Sequence, residues 1–139
     1  MRKWVVFLFA AIVSWSTYSS ASPQKDAVRR FYELREKMLD QHGTIFEVNE
    51  LLSLMTDDVK YEHPLASVTM TKSQARSGML THLGEGQNTK YTIRRAHFVD
   101  DFAVVEFVLE YRVKGKRISH AGVATFEFTG NKISRVAEY

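Results

Sequence analysis

The chain has 139 residues, of which 45% are hydrophobic, and it carries 19 Lys or Arg against 16 Asp or Glu. This length and composition predict one globular domain with a sizeable core. The sequence lacks the long run of basic residues that would indicate a nucleic-acid partner. The absence of cysteine excludes disulfides, thiol nucleophiles and a lipid anchor on cysteine.

Residues 1–21 are typical of a secretory signal peptide. Arg2 and Lys3 form a basic start, residues 4–15 form an uncharged apolar run, and residues 19–21 supply the small side chains that signal peptidase reads. The apolar run is shorter than the roughly 20 residues that a membrane-spanning helix needs. We therefore expect cleavage after Ala21, a mature domain of residues 22–139 without membrane contact, and a periplasmic or secreted location. An uncleaved anchor is the alternative.

Three helices are predicted in the first half of the mature region. Ser22 and Pro23 form a helix start, apolar residues follow at helical spacing, and Gly43 is expected to end this first helix. Capping-box sequences at residues 44–47 and 71–74 predict the starts of two shorter helices.

The rest of the sequence is dominated by a period of two residues, which is typical of strands. A turn is expected at residues 56–58, and the stretch VKYEHP at residues 59–64 predicts a strand. Four further strands are predicted at residues 89–99, 102–113, 117–128 and 132–139, joined by short turns. Helices followed by mostly antiparallel strands predict an α+β fold.

Two histidines are predicted to face the interior of the sheet. His63 alternates in phase with Val59 and Tyr61, and His120 alternates in phase with Phe126. An imidazole on an apolar wall can accept or donate a proton near neutral pH, so His63 and His120 are candidate catalytic bases and Tyr61 is a candidate donor. Each histidine can instead be a core or rim residue bonded to backbone, and a bulge would reverse the phase beyond it.

No metal ion or cofactor is expected. The histidines lack the short spacing of metal ligands, and the G-E-G sequence at residues 84–86 follows a predicted helix instead of preceding one, unlike a phosphate-binding loop. The paired aspartates at residues 57–58 and 100–101 lie at predicted turns, where they commonly bond to local backbone. Catalysis by paired carboxylates is therefore not expected.

The order of these elements resembles the nuclear transport factor 2-like superfamily, and within it the SnoaL-like and ketosteroid-isomerase-like branch. The resemblance rests on LMTDDVKYEHP at residues 54–64 and on the closing strand GNKISRVAEY at residues 130–139, and it spans nearly all of residues 22–139. It implies a cone-shaped, curved, mostly antiparallel sheet wrapped on a long N-terminal helix and two shorter helices, with an apolar cavity inside. It also implies a homodimer that forms through the sheet.

The resemblance further implies which residues face this cavity. In ketosteroid isomerases the residue before the corresponding proline is the carboxylate base, and here it is His63. The tyrosine donor of their first helix corresponds to Phe31 or Tyr32, and their second acidic group has no counterpart near His120, so ketosteroid isomerisation is not expected. The residues expected to contact a ligand are Tyr32, Phe31, Phe126 and Val59.

Two functions are open at this point, because a fold does not by itself define an activity. The first is an exported domain that binds a small hydrophobic molecule in the cavity. The second is a cofactor-free isomerase, dehydratase or cyclase that uses His63 or His120 as general acid or base. Glu138 is expected to reach the mouth of the cavity only if the last strand bulges.

Overall fold

The computed structural model describes residues 22–139, so the expected signal peptide lies outside the described residues. The elements are α1 (Pro23–Leu39), α2 (Ile45–Ser53), β1 (Met55–His63), β2 (Val68–Met70), α3 (Lys72–Thr81), β3 (Gln87–Val99), β4 (Phe102–Val113), β5 (Lys116–Thr129) and β6 (Lys132–Glu138). None of the helices in this part of the chain is long and apolar enough to cross a membrane.

Helix α1 begins where it was predicted, but it ends earlier. The Ser22 hydroxyl accepts a hydrogen bond from the Lys25 backbone N–H at 3.2 Å, as a helix cap does. The helix ends at Leu39, and Gly43 lies in the turn that follows. A Cβ atom at Gly43 would lie 2.2 Å from the Met38 carbonyl oxygen. Gly43 therefore permits a close backbone approach in the turn and does not itself end the helix.

The two predicted capping boxes are confirmed. At the start of α2, the Thr44 and Glu47 side chains bond reciprocally to each other's backbone N–H groups, and Thr71 and Gln74 do the same at the start of α3. These local bonds satisfy helix N–H groups that have no partner within the helix. They fix the residues at which α2 and α3 begin.

The sheet confirms the predicted α+β class. Its six strands lie in the order β2-β1-β6-β5-β4-β3, and only the β1–β6 pair is parallel. The sheet is curved and does not close into a barrel. The turn predicted at residues 56–58 is wrong, because these residues lie within β1. A register shift between Met55 and Lys60 lets two successive aspartates face solvent there without ending the strand. Strand β2 was not predicted.

Strand β6 contains the bulge on which the position of Glu138 depends. Phe128 pairs with Ile133 and Glu127 pairs with Arg135, so Ser134 is an extra residue on β6. The extra residue reverses the alternation of faces, and both Ile133 and Val136, on either side of it, are fully buried. The reversal turns Glu138 toward the concave side of the sheet.

The core lies between α1 and the concave face of the sheet. Phe31 from α1 packs edge-on against Phe126 from β5, with ring centroids 5.1 Å apart. Both side chains are fully buried, as are Leu34 and Val105. This packing fills the part of the concave face that lies beneath Phe31 and Leu34.

Candidate ligand-binding site

A cavity of about 360 Å³ lies between the second half of α1, helix α3 and the concave face of the sheet. Its volume is within the range of small-molecule sites in proteins. Most of its wall is apolar or glycine, formed by Met38, Leu39, Val68, Met70, Ala75, Gly78, Met79, Gly86 and Leu109. The polar lining residues are Arg35, Tyr61, His63, His82, Glu85 and Tyr111.

Helix α3 leaves open space on its side of the cavity. The lining residues Ala75, Gly78 and Met79 of α3, and His82 directly after it, recur at the three- and four-residue spacing of one helix face. A Cβ atom at Gly78 would meet no atom within 4 Å. A glycine inside a helix is less stable than alanine by about 1 kcal/mol, so the fold gives up stability at this lining position.

Arg35 is a charged residue on the buried face of α1. It follows Phe31 by one helical turn, and only 16% of its side chain is exposed. Its Nη1 atom donates a hydrogen bond to the Tyr61 hydroxyl at 2.9 Å and forms an ion pair with Glu138. Its guanidinium group also lies over the rings of Phe31 and Tyr91, 5.6 Å from each centroid. Such contacts stabilise a cation that has left bulk water.

Tyr61 and Glu138 complete this network. The Tyr61 hydroxyl donates a hydrogen bond to Glu138 Oε1 at 2.5 Å. Tyr61 pairs with Val136 across β1 and β6, which places Glu138 two residues further along on the same face. Arg35, Tyr61 and Glu138 thus form one buried network, called here the Arg35–Tyr61–Glu138 cluster, in which the two charges compensate each other.

Burial controls protonation in this cluster. Burial raises the pKa of the Tyr61 hydroxyl well above its ordinary value; Arg35 acts to lower this pKa, and Glu138 raises it further. Burial acts to lower the pKa of Arg35, but Glu138 and the neighbouring tyrosine hydroxyls raise it by more. Burial likewise raises the pKa of Tyr91. Arg35 therefore stays charged and both tyrosines stay neutral near pH 7.

We expect the free energy of unfolding to fall as the pH rises above about 10, the ordinary pKa of tyrosine. The raised pKa keeps the proton on Tyr61 and Tyr91 in the folded state, whereas the unfolded chain releases it. Stability is therefore complete below the unfolded-state pKa and is lost as the pH rises through the folded-state pKa. Urea unfolding at a series of alkaline pH values measures the slope, and Tyr61→Phe should reduce it. An identical slope in wild type and Tyr61→Phe would contradict this account.

The structure brings the predicted catalytic residues together only in pairs. His63 and Tyr61 line the cavity, with ring centroids 5.6 Å apart. His120 is exposed and lines a neighbouring depression of about 370 Å³, which also includes His63 and Glu138. Arg35 lines both spaces. Tyr61 was expected to be a free donor, but its hydroxyl proton is directed at Glu138.

The residues that were predicted to contact a ligand are not on the wall of this cavity. Phe31, Phe126 and Val59 are core residues with at most 2% exposure. Tyr32 lines a separate depression between α1 and β3, and its buried hydroxyl has no hydrogen-bond partner within residues 22–139. Strand alternation identified the buried face correctly, but that part of the face is packed: Phe126 is covered by Phe31 of α1, and Val59 belongs to the same hydrophobic core.

Two parts of the site were not predicted from the sequence. Arg35 lies at helical spacing from Phe31 on the apolar stripe of α1, and a charged residue in such a stripe needs a buried partner; this signal was available. The lining face of α3, which includes Gly78, and His82 directly after it had no comparable signal, because they contain few large apolar residues. Within the described residues, no group of three or more His, Asp or Glu side chains is placed to hold a metal ion.

The sequence matches the family described as SnoaL-like domain over residues 28–136. No curated protein sequence matches it significantly. Among solved structures, the chain is similar to a hypothetical protein with a ketosteroid isomerase-like fold from Catenulispora acidiphila, solved in complex with trimethylamine. The TM-score is 0.66 and the identity 20%, over 82% of this chain and 84% of that chain.

Two further solved structures are similar over most of their length. An epoxide hydrolase from Mycobacterium tuberculosis, described as LEH-like, has a TM-score of 0.67 and 14% identity, over 84% of this chain and 81% of that chain. An NTF-2 like protein of unknown function from Burkholderia xenovorans has a TM-score of 0.64 and 13% identity, with the same coverage of 84% and 81%. At these identities the similarity shows a shared fold.

Proposed function

The chain belongs to the SnoaL-like domain family, and from that premise we propose that it is an exported protein that binds a small, mainly apolar molecule. The observation that carries this proposal is the cavity of about 360 Å³, with its apolar wall and a few polar groups converging at Arg35, Tyr61 and His63. Cavities of this kind, in which a few polar groups orient an otherwise apolar ligand, are typical small-molecule sites. The open face at Gly78 supports the same function, because the helix would be more stable with alanine there.

The proposal is tested by filling the cavity from α3. Gly78→Phe should weaken the binding of the uncharged fluorescent ketone 6-propionyl-2-dimethylaminonaphthalene by at least about tenfold, a loss of 1.4 kcal/mol, because the new ring occupies the ligand's space. A mature chain that begins at Ser22 contains no tryptophan, since Trp4 and Trp15 both precede residue 22. Saturable binding to the wild type at one site per chain is the expected result.

The matched control is Ser77→Phe, which adds the same ring one position earlier on α3, where the side chain is exposed. Ser77→Phe should bind the dye like the wild type, and both variants should melt cooperatively. Equal binding by Gly78→Phe and Ser77→Phe, or no binding by the wild type, would reject the cavity as the site. Mass spectrometry of the protein from its native source would identify a co-purified ligand and would show whether the mature chain begins at Ser22.

Cofactor-free acid–base catalysis, as in an isomerase, dehydratase or cyclase, is a second candidate function. It is favoured by His63, which lines both the cavity and the depression that includes His120 and Glu138. His63→Asn should abolish conversion of the co-purified molecule and leave its binding largely unchanged. Undiminished conversion by His63→Asn would exclude this residue as the general base.

A second copy of the chain is the proposed protein partner, paired through the convex face of the sheet. On that face Val104, Val108 and Val123 alternate along β4 and β5 with charged residues, and Val123 is 39% exposed. Sedimentation velocity should show a dimer that Val123→Lys dissociates. A monomer at all concentrations would contradict the pairing.

A further inference from the structure

Arg35 has more hydrogen-bond donors than the protein uses. A guanidinium group carries five N–H donors, yet Tyr61 and Glu138 both bond to the single atom Nη1. No hydrogen bond within the described part of the chain uses Nε or Nη2 of Arg35. Neither nitrogen is among the fully buried side-chain atoms of the described residues that lack a hydrogen-bond partner. Nε and Nη2 of Arg35 therefore keep some contact with solvent. Arg35 lines both the cavity and the neighbouring depression.

The charge of Arg35 is already balanced. Glu138 compensates the guanidinium, and Glu85, the acidic residue on the cavity wall, lies 2.9 Å from His82 Nδ1 and is about half exposed to solvent. A ligand carboxylate would bring a second negative charge close to Glu138, and a ligand ammonium group would be repelled by Arg35. Either charge would also leave water for a mainly apolar wall, which is costly. An uncharged acceptor oxygen meets neither penalty.

Building on the proposed function, we propose that the ligand is an uncharged carbonyl compound, and that its carbonyl oxygen accepts hydrogen bonds from Nε and Nη2 of Arg35. A carbonyl oxygen has two lone pairs in the plane of its substituents, so a single oxygen can accept hydrogen bonds from two neighbouring N–H groups of the planar guanidinium. The apolar remainder of the ligand contacts the methionines Met38, Met70 and Met79, whose flexible side chains adapt to different shapes.

Three competitors of nearly equal size test this assignment by displacing the fluorescent ketone from the wild-type protein. They are 4-ethylacetophenone, 1,4-diethylbenzene, which lacks the carbonyl oxygen, and 4-ethylbenzoate, which is negatively charged. The acetophenone should bind about ten- to a hundredfold more tightly than diethylbenzene, the range for a hydrogen bond to a charged group, and more tightly than the benzoate. Equal affinities for the ketone and the hydrocarbon, or tightest binding by the benzoate, would overturn the assignment.

Arg35→Lys provides the matched variant. Lysine retains the positive charge beside Glu138 but lacks the fork of donors, so the ratio of the ketone affinity to the hydrocarbon affinity should fall toward one. The readout is this ratio within the variant, because the substitution also changes the cavity wall. A retained preference would show that another residue binds the oxygen. If the fluorescent ketone itself does not bind, the proposed function and this inference both fail. If all three competitors displace it equally, only the carbonyl assignment fails.

Discussion

Replacing Arg35 by methionine is expected to lower the free energy of unfolding by about 3–5 kcal/mol. Methionine fills most of the same volume, but it leaves the Glu138 carboxylate, of which 12% is exposed, without its cation. Tyr61 can still donate one hydrogen bond to that carboxylate, and one neutral bond does not replace a compensating charge. Urea unfolding at pH 7, followed by circular dichroism, measures the loss.

The chain offers a matched control on the same helix. Arg29 forms an ion pair with Glu33 at 2.6 Å, but 62% of its side chain is exposed, so Arg29→Met should change stability by about 0–1 kcal/mol. Adding Glu138→Gln to Arg35→Met should recover part of the loss, since a neutral amide replaces the unpaired charge. Similar effects of Arg35→Met and Arg29→Met would show that the cluster does not contribute to stability as its burial suggests.

The parts of the fold that were predicted correctly depend on neighbouring residues in the sequence. The Ser22 cap and the two capping boxes are bonds between residues two or three positions apart, so a short stretch of sequence contains both partners. The turn predicted at residues 56–58 failed for the opposite reason. Two successive aspartates usually indicate a turn, but pairing of β1 with the distant strand β6 keeps them extended.

The site was harder to predict because the side chains that line it are set by the register of the strands and by how far each residue lies from α1. Alternation placed His63 on the concave face, where it lines the cavity, and the same rule applied to His120 led to an exposed position. Glu138 reaches Arg35 and the neighbouring depression only because Ser134 is bulged, and no local sequence signal marks that extra residue. The buried partner of Arg35 lies about a hundred positions away, so the sequence could indicate the need for a partner but not its identity.

Phe126→Ala is expected to lower the free energy of unfolding by about 3–5 kcal/mol, the usual cost of removing a phenylalanine from a packed core. Phe126 is fully buried and contacts three aromatic rings, those of Phe31, Tyr32 and Phe128. Because Phe126 is anchored on β5 and packs against Phe31 of α1, both regular elements limit the relaxation that could fill the space alanine leaves. Denaturant unfolding of the variant gives the value directly.

The same substitution at an exposed phenylalanine shows how much of the stability loss comes from burial of the side chain. Phe46 on α2 is 60% exposed, so Phe46→Ala should change stability by no more than about 0.5 kcal/mol.

The milder change Phe126→Leu tests the role in binding that strand alternation suggested. If Phe126 belongs only to the core, Phe126→Leu will bind the fluorescent ketone like the wild type despite its lower stability. Weaker binding at unchanged stability would mean that the ligand reaches past Arg35 to the rings beneath α1, and the cavity would then extend further than the structure shows.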